Sequence, residues 1–291
     1  MSAASTGSAT FLLGLGAQKA GSTWVQDYIA ADPQACFGPI KEYHVWDVLH
    51  LHHATQFDCR RGNILSSRCK DLARRLLGKG PDKTEIRRRL QTKPEAYFDF
   101  FETLLARDGV RLTGDFTPLY AGLPVDVLTR IRDGFRDRGI AVRAVFLMRD
   151  PVARCVSAAQ MNRRKGGRNE AVIPDGDLDT AVLAYVGTSQ ERLRADYRRT
   201  VETLRAAFAE DEIFFGLYET LFTFEETARL SRFVGIEHRP ELAAKRVNDF
   251  PKREQVSRDT LERLRAVLAD DYEYCAQAFP QSTDHWRGDF Q

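Results

Sequence analysis

Lys19, Gly21, Ser22 and Thr23 stand together in Gly16-Ala-Gln-Lys19-Ala20-Gly21-Ser22-Thr23, where one cation, a permissive backbone and two hydroxyls suit an anion. The apolar run from Thr10 to Gly16 before them predicts a strand, and Ser22 to Ala31 after them has helical spacing. A helix start presents unpaired N–H groups and the positive end of the helix dipole, so the octapeptide reads as a phosphate loop. In the ATP-binding pattern GxxxxGK[ST] the lysine follows the last glycine. Lys19 lies two positions before Gly21, a register unlike that of an ordinary P-loop kinase. Taken alone, the same residues also fit a glycine turn with a Ser or Thr helix cap and a solvated lysine.

A second anion anchor is legible at Arg149-Asp150-Pro151, with Arg154 and Ser157 following. Val142 to Met148 predicts a strand, Asp150 suits a helix N-cap and Pro151 the first helical position. Arg149 then lies at the carboxyl edge of a strand, where α/β sheets bind ligands, and its fork of donors suits a phosphate. Ser157 adds a hydroxyl from the helix. The plainer alternatives are a strand-end ion pair for Arg149 and an uninvolved hydroxyl for Ser157; Arg154 is expected to pair with Asp150 at i,i+4.

The stretch GAQKAGSTW resembles the 5'-phosphosulfate loop of sulfotransferases that use 3'-phosphoadenosine 5'-phosphosulfate (PAPS), whose pattern is close to GxxKxGTTW; Ser22 keeps the hydroxyl of the commoner threonine. R-D-P-x-x-R-x-x-S, from Arg149 to Ser157, is similar to that family's 3'-phosphate segment and follows in family order. A donor with phosphates at both ends needs two separated anion sites. The resemblance therefore implies that Lys19, Ala20, Gly21, Ser22, Thr23, Trp24, Arg149 and Ser157 bind PAPS, with 3',5'-adenosine bisphosphate (PAP) as product.

Lys41-Glu42-Tyr43-His44-Val45-Trp46-Asp47 resembles the KExHFFD-like segment of the glycan-modifying and bacterial branch. That match implies Glu42 as the base taking the proton of an acceptor hydroxyl or amine, Lys19 stabilising the leaving 5'-phosphate and Lys41 assisting at the sulfuryl oxygens. His44 is the alternative base, since histidine serves elsewhere in the family and titrates near neutrality; it also fits a residue that orients the acceptor or packs beside Trp46, and Glu42 also fits a surface carboxylate paired with Lys41 or another base. Gly114-Asp115-Phe116-Thr117-Pro118-Leu119-Tyr120 resembles GEKSPxY, with Phe116 where relatives have lysine; a turn set by Pro118 is expected there. Lys252 and Arg253, in a basic loop where related enzymes close over the nucleotide, are candidate 3'-phosphate contacts or simply solvated charge. The transfer implied is an in-line displacement dominated by positioning and charge stabilisation, with no metal required. Two alternatives stay open: an atypical P-loop kinase using Mg-ATP, and a sulfotransferase-like protein that binds the nucleotide without turnover.

These residues need elements to hold them. Further strands are predicted at Arg111 to Asp115 and Glu212 to Tyr218, and helices at Pro124 to Arg138, Leu183 to Phe208 and Phe224 to Val234. The βα alternation predicts an α/β fold, and the resemblance implies a P-loop-like three-layer form: a central, mostly parallel sheet flanked by helices. His50 to Leu90 and Arg163 to Asp177, rich in arginine, glycine and polar residues, are expected to be insertions or loops shaping the acceptor side. Arg60, Arg61, Arg87 to Arg89, Arg163, Arg164 and Lys165 suit an anionic glycan or ordinary exposed charge. A single domain is expected over 8–291, with 1–7 a flexible N-terminus.

Composition agrees with a globular protein: 291 residues, 43% hydrophobic and 10% aromatic. With 43 basic and 41 acidic residues the net charge is +2, so no global field favours nucleic acid or a membrane surface and anion binding must be local. The start lacks a basic leader region, and its apolar stretch is too short for a span, so neither secretion nor membrane anchoring is expected. Five cysteines, scattered and without a CxxC pair, fit a reducing cytoplasm. The expected partner is a small-molecule or carbohydrate acceptor, with oligomeric state open.

Overall fold

The computed structural model describes residues 8–60, 74, 77–78, 82–164, 176–243 and 254–286. The N-terminal seven residues, Arg61, Lys165, and the loop carrying Lys252 and Arg253 lie outside the described residues. Four strands form one sheet among those described: β1 (Thr10–Gly16), β2 (Leu112–Phe116), β3 (Ala141–Met148) and β4 (Ile213–Leu217), in the order β2-β1-β3-β4. All are parallel, with Leu12 of β1 set against Gly114 on one side and Arg143 on the other. β1 has a neighbour on each edge and every one of its residues is buried. A strand covered on both faces has no solvent side, which is why TFLLGLG shows no polar alternation.

Twelve helices accompany the sheet among the described residues. The first five are α1 (Ser22–Ala30), α2 (Trp46–His50), α3 (Lys83–Thr92), α4 (Glu95–Leu105) and α5 (Val125–Arg136). The next four are α6 (Pro151–Arg164), α7 (Leu178–Tyr185), α8 (Ser189–Ala195) and α9 (Tyr197–Ala207). The last three are α10 (Phe224–Val234), α11 (Arg258–Val267) and α12 (Ala269–Ala278). Aromatic packing fixes α4 and α5 to β1: Phe11 stacks on Phe135 at 3.9 Å and meets Phe101 edge-on at 4.9 Å. Truncating such a buried ring costs about 3–5 kcal/mol. The main core runs from Phe11 to Trp286 and so draws on both ends of the chain.

Two predicted stretches differ in detail. The apolar spacing from Leu183 to Phe208 predicts one helix, but the chain breaks it into the end of α7, α8 and α9. Gly187 turns the backbone at φ 74°, Thr188 caps α8 by accepting from the Glu191 amide, and Asp196 caps α9 by accepting from Arg199. Capping residues inside an apolar period override the period. The region from His50 to Leu90, expected as insertion or loop, contains a 3-10 helix at His52–Phe57 and most of α3. Among the described residues no helix is long and apolar enough to cross a membrane.

Candidate active site

β1 delivers the chain into the glycine loop, and α1 leaves it. Lys19 (φ 68°) and Gly21 (φ 94°) both take left-handed backbone, which bends the loop around the start of α1. Gly21 is required there twice over: its φ suits glycine, and a β-carbon would lie 2.7 Å from Leu221 Cδ2. No side chain caps α1, so the Ser or Thr cap that would make this an ordinary helix start is not formed. Lys19, Ser22 and Thr23 are half-buried, and Ala20 is buried. Trp24 is buried, stacked on Tyr28 at 5.0 Å and edge-on to Phe222 at 5.1 Å, anchoring α1 to the core.

The neighbouring strand β3 carries the second anchor into contact with the first. The Ala17 amide donates to the Leu147 carbonyl at 2.6 Å. Arg149 Nη1 donates to the Lys19 carbonyl at 3.1 Å, and its guanidinium lies 4.4 Å from the centre of the Tyr218 ring. Arg149 Nε is buried without a hydrogen-bond partner. A buried orphan donor on a cation beside a phosphate-type loop is a group that a bound oxyanion satisfies. Asp150 caps α6 by accepting from the Ala153 amide at 3.0 Å, and Tyr272 donates to the same oxygen. The Asp150 amide donates to Glu219, which also accepts from Trp286 Nε1; burial pushes the Glu219 carboxyl up. Ser157 is half-buried on α6.

Arg154 corrects an expectation. Its ion pair is with Glu191 of α8, both side chains fully buried, and not the intrahelical pair with Asp150. The buried pair joins α6 to α8, since removing one partner would strand a charge in the core.

The segment from Lys41 to Asp47 is held from several sides. Gln26 of α1 donates to the Lys41 carbonyl at 3.4 Å, and Arg87 of α3 donates to the Glu42 carbonyl at 2.7 Å. The end of β2 holds the next residues: Thr117 Oγ1 accepts from the Tyr43 amide at 3.1 Å, and Tyr120 Oη accepts from the Val45 amide at 3.1 Å. Both hydroxyls in turn donate to Asp115, which is fully buried and accepts also from Tyr97. Burial pushes the Asp115 carboxyl up to about 6, while the bonds from Thr117, Tyr120, Tyr97 and the Tyr43 amide act against that rise. GDFTPLY is thus more than a turn set by Pro118. Its carboxylate and hydroxyls form the seat of the Glu42 segment.

His44 lies between two carboxylates. Its Nδ1 is 2.6 Å from Asp47 Oδ2 and its Nε2 is 3.1 Å from Glu42 Oε2. The ring stacks on Phe57 with centroids 3.6 Å apart, and its carbonyl accepts from Gln91 at 2.5 Å. The His44 side chain is 4% exposed and that of Glu42 39%, so the carboxylate reaches solvent and the imidazole does not. Burial by itself lowers the imidazole pKa, but the hydrogen bonds to Asp47 and Glu42 outweigh it and raise the value to about 9. At neutral pH both ring nitrogens therefore carry protons and donate, which leaves the ring no lone pair for an acceptor proton. The folded pKa exceeds the ordinary 6.5, so this stabilisation is complete below pH 6.5 and is lost as pH rises through 9. The expected difference is roughly 3 kcal/mol across that window. Wild-type melting temperature should fall from pH 6.5 to 9.5 more steeply than that of His44→Gln, and parallel slopes would contradict the imidazolium assignment.

The carboxyl ends of β2, β1 and β3 thus gather the Glu42 segment, the glycine loop and Arg149 on three adjacent strands. The Pro118 carbonyl lies 3.0 Å from where a β-carbon on Gly16 would stand, so the β2 turn and the glycine loop also touch. Sequence reasoning missed Tyr97 and Gln91, and it named Asp115, Tyr120 and Arg87 without their role in supporting the Glu42 segment. Only Asp115 and Tyr120 lay within a recognisable motif.

No family model and no curated protein matches the sequence. Among solved structures, the chain is similar to a sulfotransferase from Alicyclobacillus acidocaldarius at 17% identity and a TM-score of 0.56, over 94% of this chain and 96% of that one. It is also similar to a sulfotransferase from Mycobacterium avium (13% identity, 93% and 77% covered, TM-score 0.49). A third likeness is to the sulfotransferase domain of an olefin synthase from Synechococcus PCC 7002 (14% identity, 89% and 94% covered, TM-score 0.45). With the parallel sheet and its flanking helices, the first likeness gives this chain the P-loop-like α/β fold of the sulfotransferases.

Proposed function

We propose that this protein is a sulfotransferase that moves a sulfuryl group from PAPS to an acceptor hydroxyl, with carbohydrates and small metabolites as the favoured acceptor classes. One observation carries the reading: Arg149, at the end of β3, reaches the Lys19 carbonyl of the glycine loop while its buried Nε lacks a partner. Two anion anchors on neighbouring strands match a donor with phosphates at both ends. In this reading Lys19, Ala20, Gly21, Ser22 and Thr23 hold the 5' end at the start of α1, with Trp24 fixing that helix. Arg149 and Ser157 take the 3'-phosphate, and Lys252 and Arg253 are assigned there as well.

Glu42 accepts the hydroxyl proton as the new sulfur–oxygen bond forms. The bond from sulfur to the bridging oxygen breaks, its electron pair stays on the 5'-phosphate, and PAP leaves. Lys19 balances the charge that grows on that phosphate, and Lys41 steadies the sulfuryl oxygens. His44, held as imidazolium by Asp47, donates to one oxygen of Glu42 and orients it. The cytoplasm is the proposed location.

Calorimetric titration with PAP in EDTA tests the donor site, with saturable binding expected. Undetectable PAP binding together with tight Mg-ATP binding would favour the atypical kinase. Arg149→Ala should weaken PAP binding by about tenfold to a hundredfold, the worth of a charge-assisted phosphate contact, with the fold retained by circular dichroism. An unchanged dissociation constant would remove Arg149 from the phosphate site.

A further inference from the structure

Phe116 stands where the GEKSPxY pattern has a lysine, and its ring is buried against Gly14, so the end of β2 offers no cation at that position. A cation reaches the Glu42 segment from a different element. Arg87 of α3 donates through Nη2 to the Glu42 carbonyl at 2.7 Å, its Nε is buried without a hydrogen-bond partner, and it forms no ion pair among the described residues. The other arginines of the run are disposed differently: Arg88 pairs at two points with Glu85, and Arg89 is exposed. Of the carboxylates that act on the adjoining Cys59, Asp58 pairs with Arg60 at 2.9 Å and 3.0 Å, and Asp82 caps α3.

A half-buried guanidinium with one donor on a carbonyl and no carboxylate bonded to it among the described residues matches an oxyanion from outside the chain. We infer that Arg87 is the acceptor-side cation, and that the acceptor carries an oxyanion, a carboxylate or a sulfate ester, beside the hydroxyl to be sulfated. This rests on the proposed sulfotransferase reading and narrows its substrate class. The placement follows from the chain itself: Arg87 touches the backbone of the same residue whose carboxylate takes the proton. An anion on Arg87 therefore sets the neighbouring hydroxyl towards Glu42.

Arg87 also braces Glu42 through its carbonyl, so the test separates bracing from recognition. Wild type, Arg87→Gln, Arg87→Lys and Arg89→Ala are assayed with PAPS and a library of glycosides in matched sets: uronic acids, their uronamides, sulfated sugars and their unsulfated parents. Glutamine keeps an amide donor at about the place of Nε and drops the charge, while lysine keeps the charge and the reach. Arg87→Gln should raise KM for carboxylated or sulfated members about tenfold to a hundredfold while kcat and PAP affinity hold. Arg87→Lys should recover part of the loss, Arg89→Ala should match wild type, and the carboxylated and sulfated arms identify which oxyanion is taken. An equal fall in kcat on charged and neutral members overturns the inference in favour of bracing. Wild type using neutral members as well as charged ones, or no charged member at all, also overturns it. PAP binding measured on the same samples keeps the outcomes apart, because its loss in wild type indicts the sulfotransferase reading itself.

Discussion

Replacing Glu42 by glutamine is expected to lower turnover by about 10²–10⁴-fold, the usual contribution of a positioned general base, with PAP affinity nearly unchanged. The amide retains the shape of the side chain and an oxygen that can accept from His44 Nε2, so the local structure should persist. What is lost is the carboxylate lone pair proposed to receive the acceptor proton. In the variant His44 still has the hydrogen bond and charge of Asp47, which favour its protonated form and disfavour it as a substitute base. Single-turnover measurements with saturating PAPS read the loss in the chemical step directly. Near-normal rates would retire Glu42 as base.

Lys19→Ala should depress turnover by about 10²–10³-fold, comparable to removing one preorganised donor from a site of developing charge. The effect is expected mainly in kcat, since charge on the bridging oxygen grows only as the sulfuryl group leaves. Alanine meets the same left-handed backbone that Lys19 already occupies at φ 68°, so the variant tests the ammonium group and not the loop geometry. A defect confined to KM for PAPS would make Lys19 a binding residue alone.

Much of the scaffold was legible because it rests on local signals. Thr10–Gly16 and Phe224–Val234 have the predicted bounds, the first as an unbroken apolar run closed by glycine and the second as a helical period with a threonine cap. The glycine loop and the Arg149 strand end were likewise visible, since loop chemistry and strand ends are written in a few adjacent residues. Whatever depended on distant partners was not. Arg154 looks paired to Asp150 when only one helix is considered, yet its partner Glu191 is 37 residues away. Asp115 closes a predicted strand ahead of the turn expected at Pro118, and only the approach of Tyr97 and Tyr43 from elsewhere in the chain makes it a buried hub. The three arginines 87 to 89 are equivalent in the sequence, and the rotation of α3 alone distinguishes the one that meets Glu42.

Transfer of sulfate is the property on which the rest depends. Purified protein incubated with PAPS and a broad library of hydroxyl and amine acceptors, with PAP release and acceptor mass followed together, measures it directly. The expected result is stoichiometric formation of PAP and a sulfated acceptor, slowed about 10²–10⁴-fold in Glu42→Gln without loss of PAP binding. Binding of PAP with no PAP release from PAPS and no sulfated product from any acceptor would contradict it, and would leave a nucleotide-binding protein on a sulfotransferase fold.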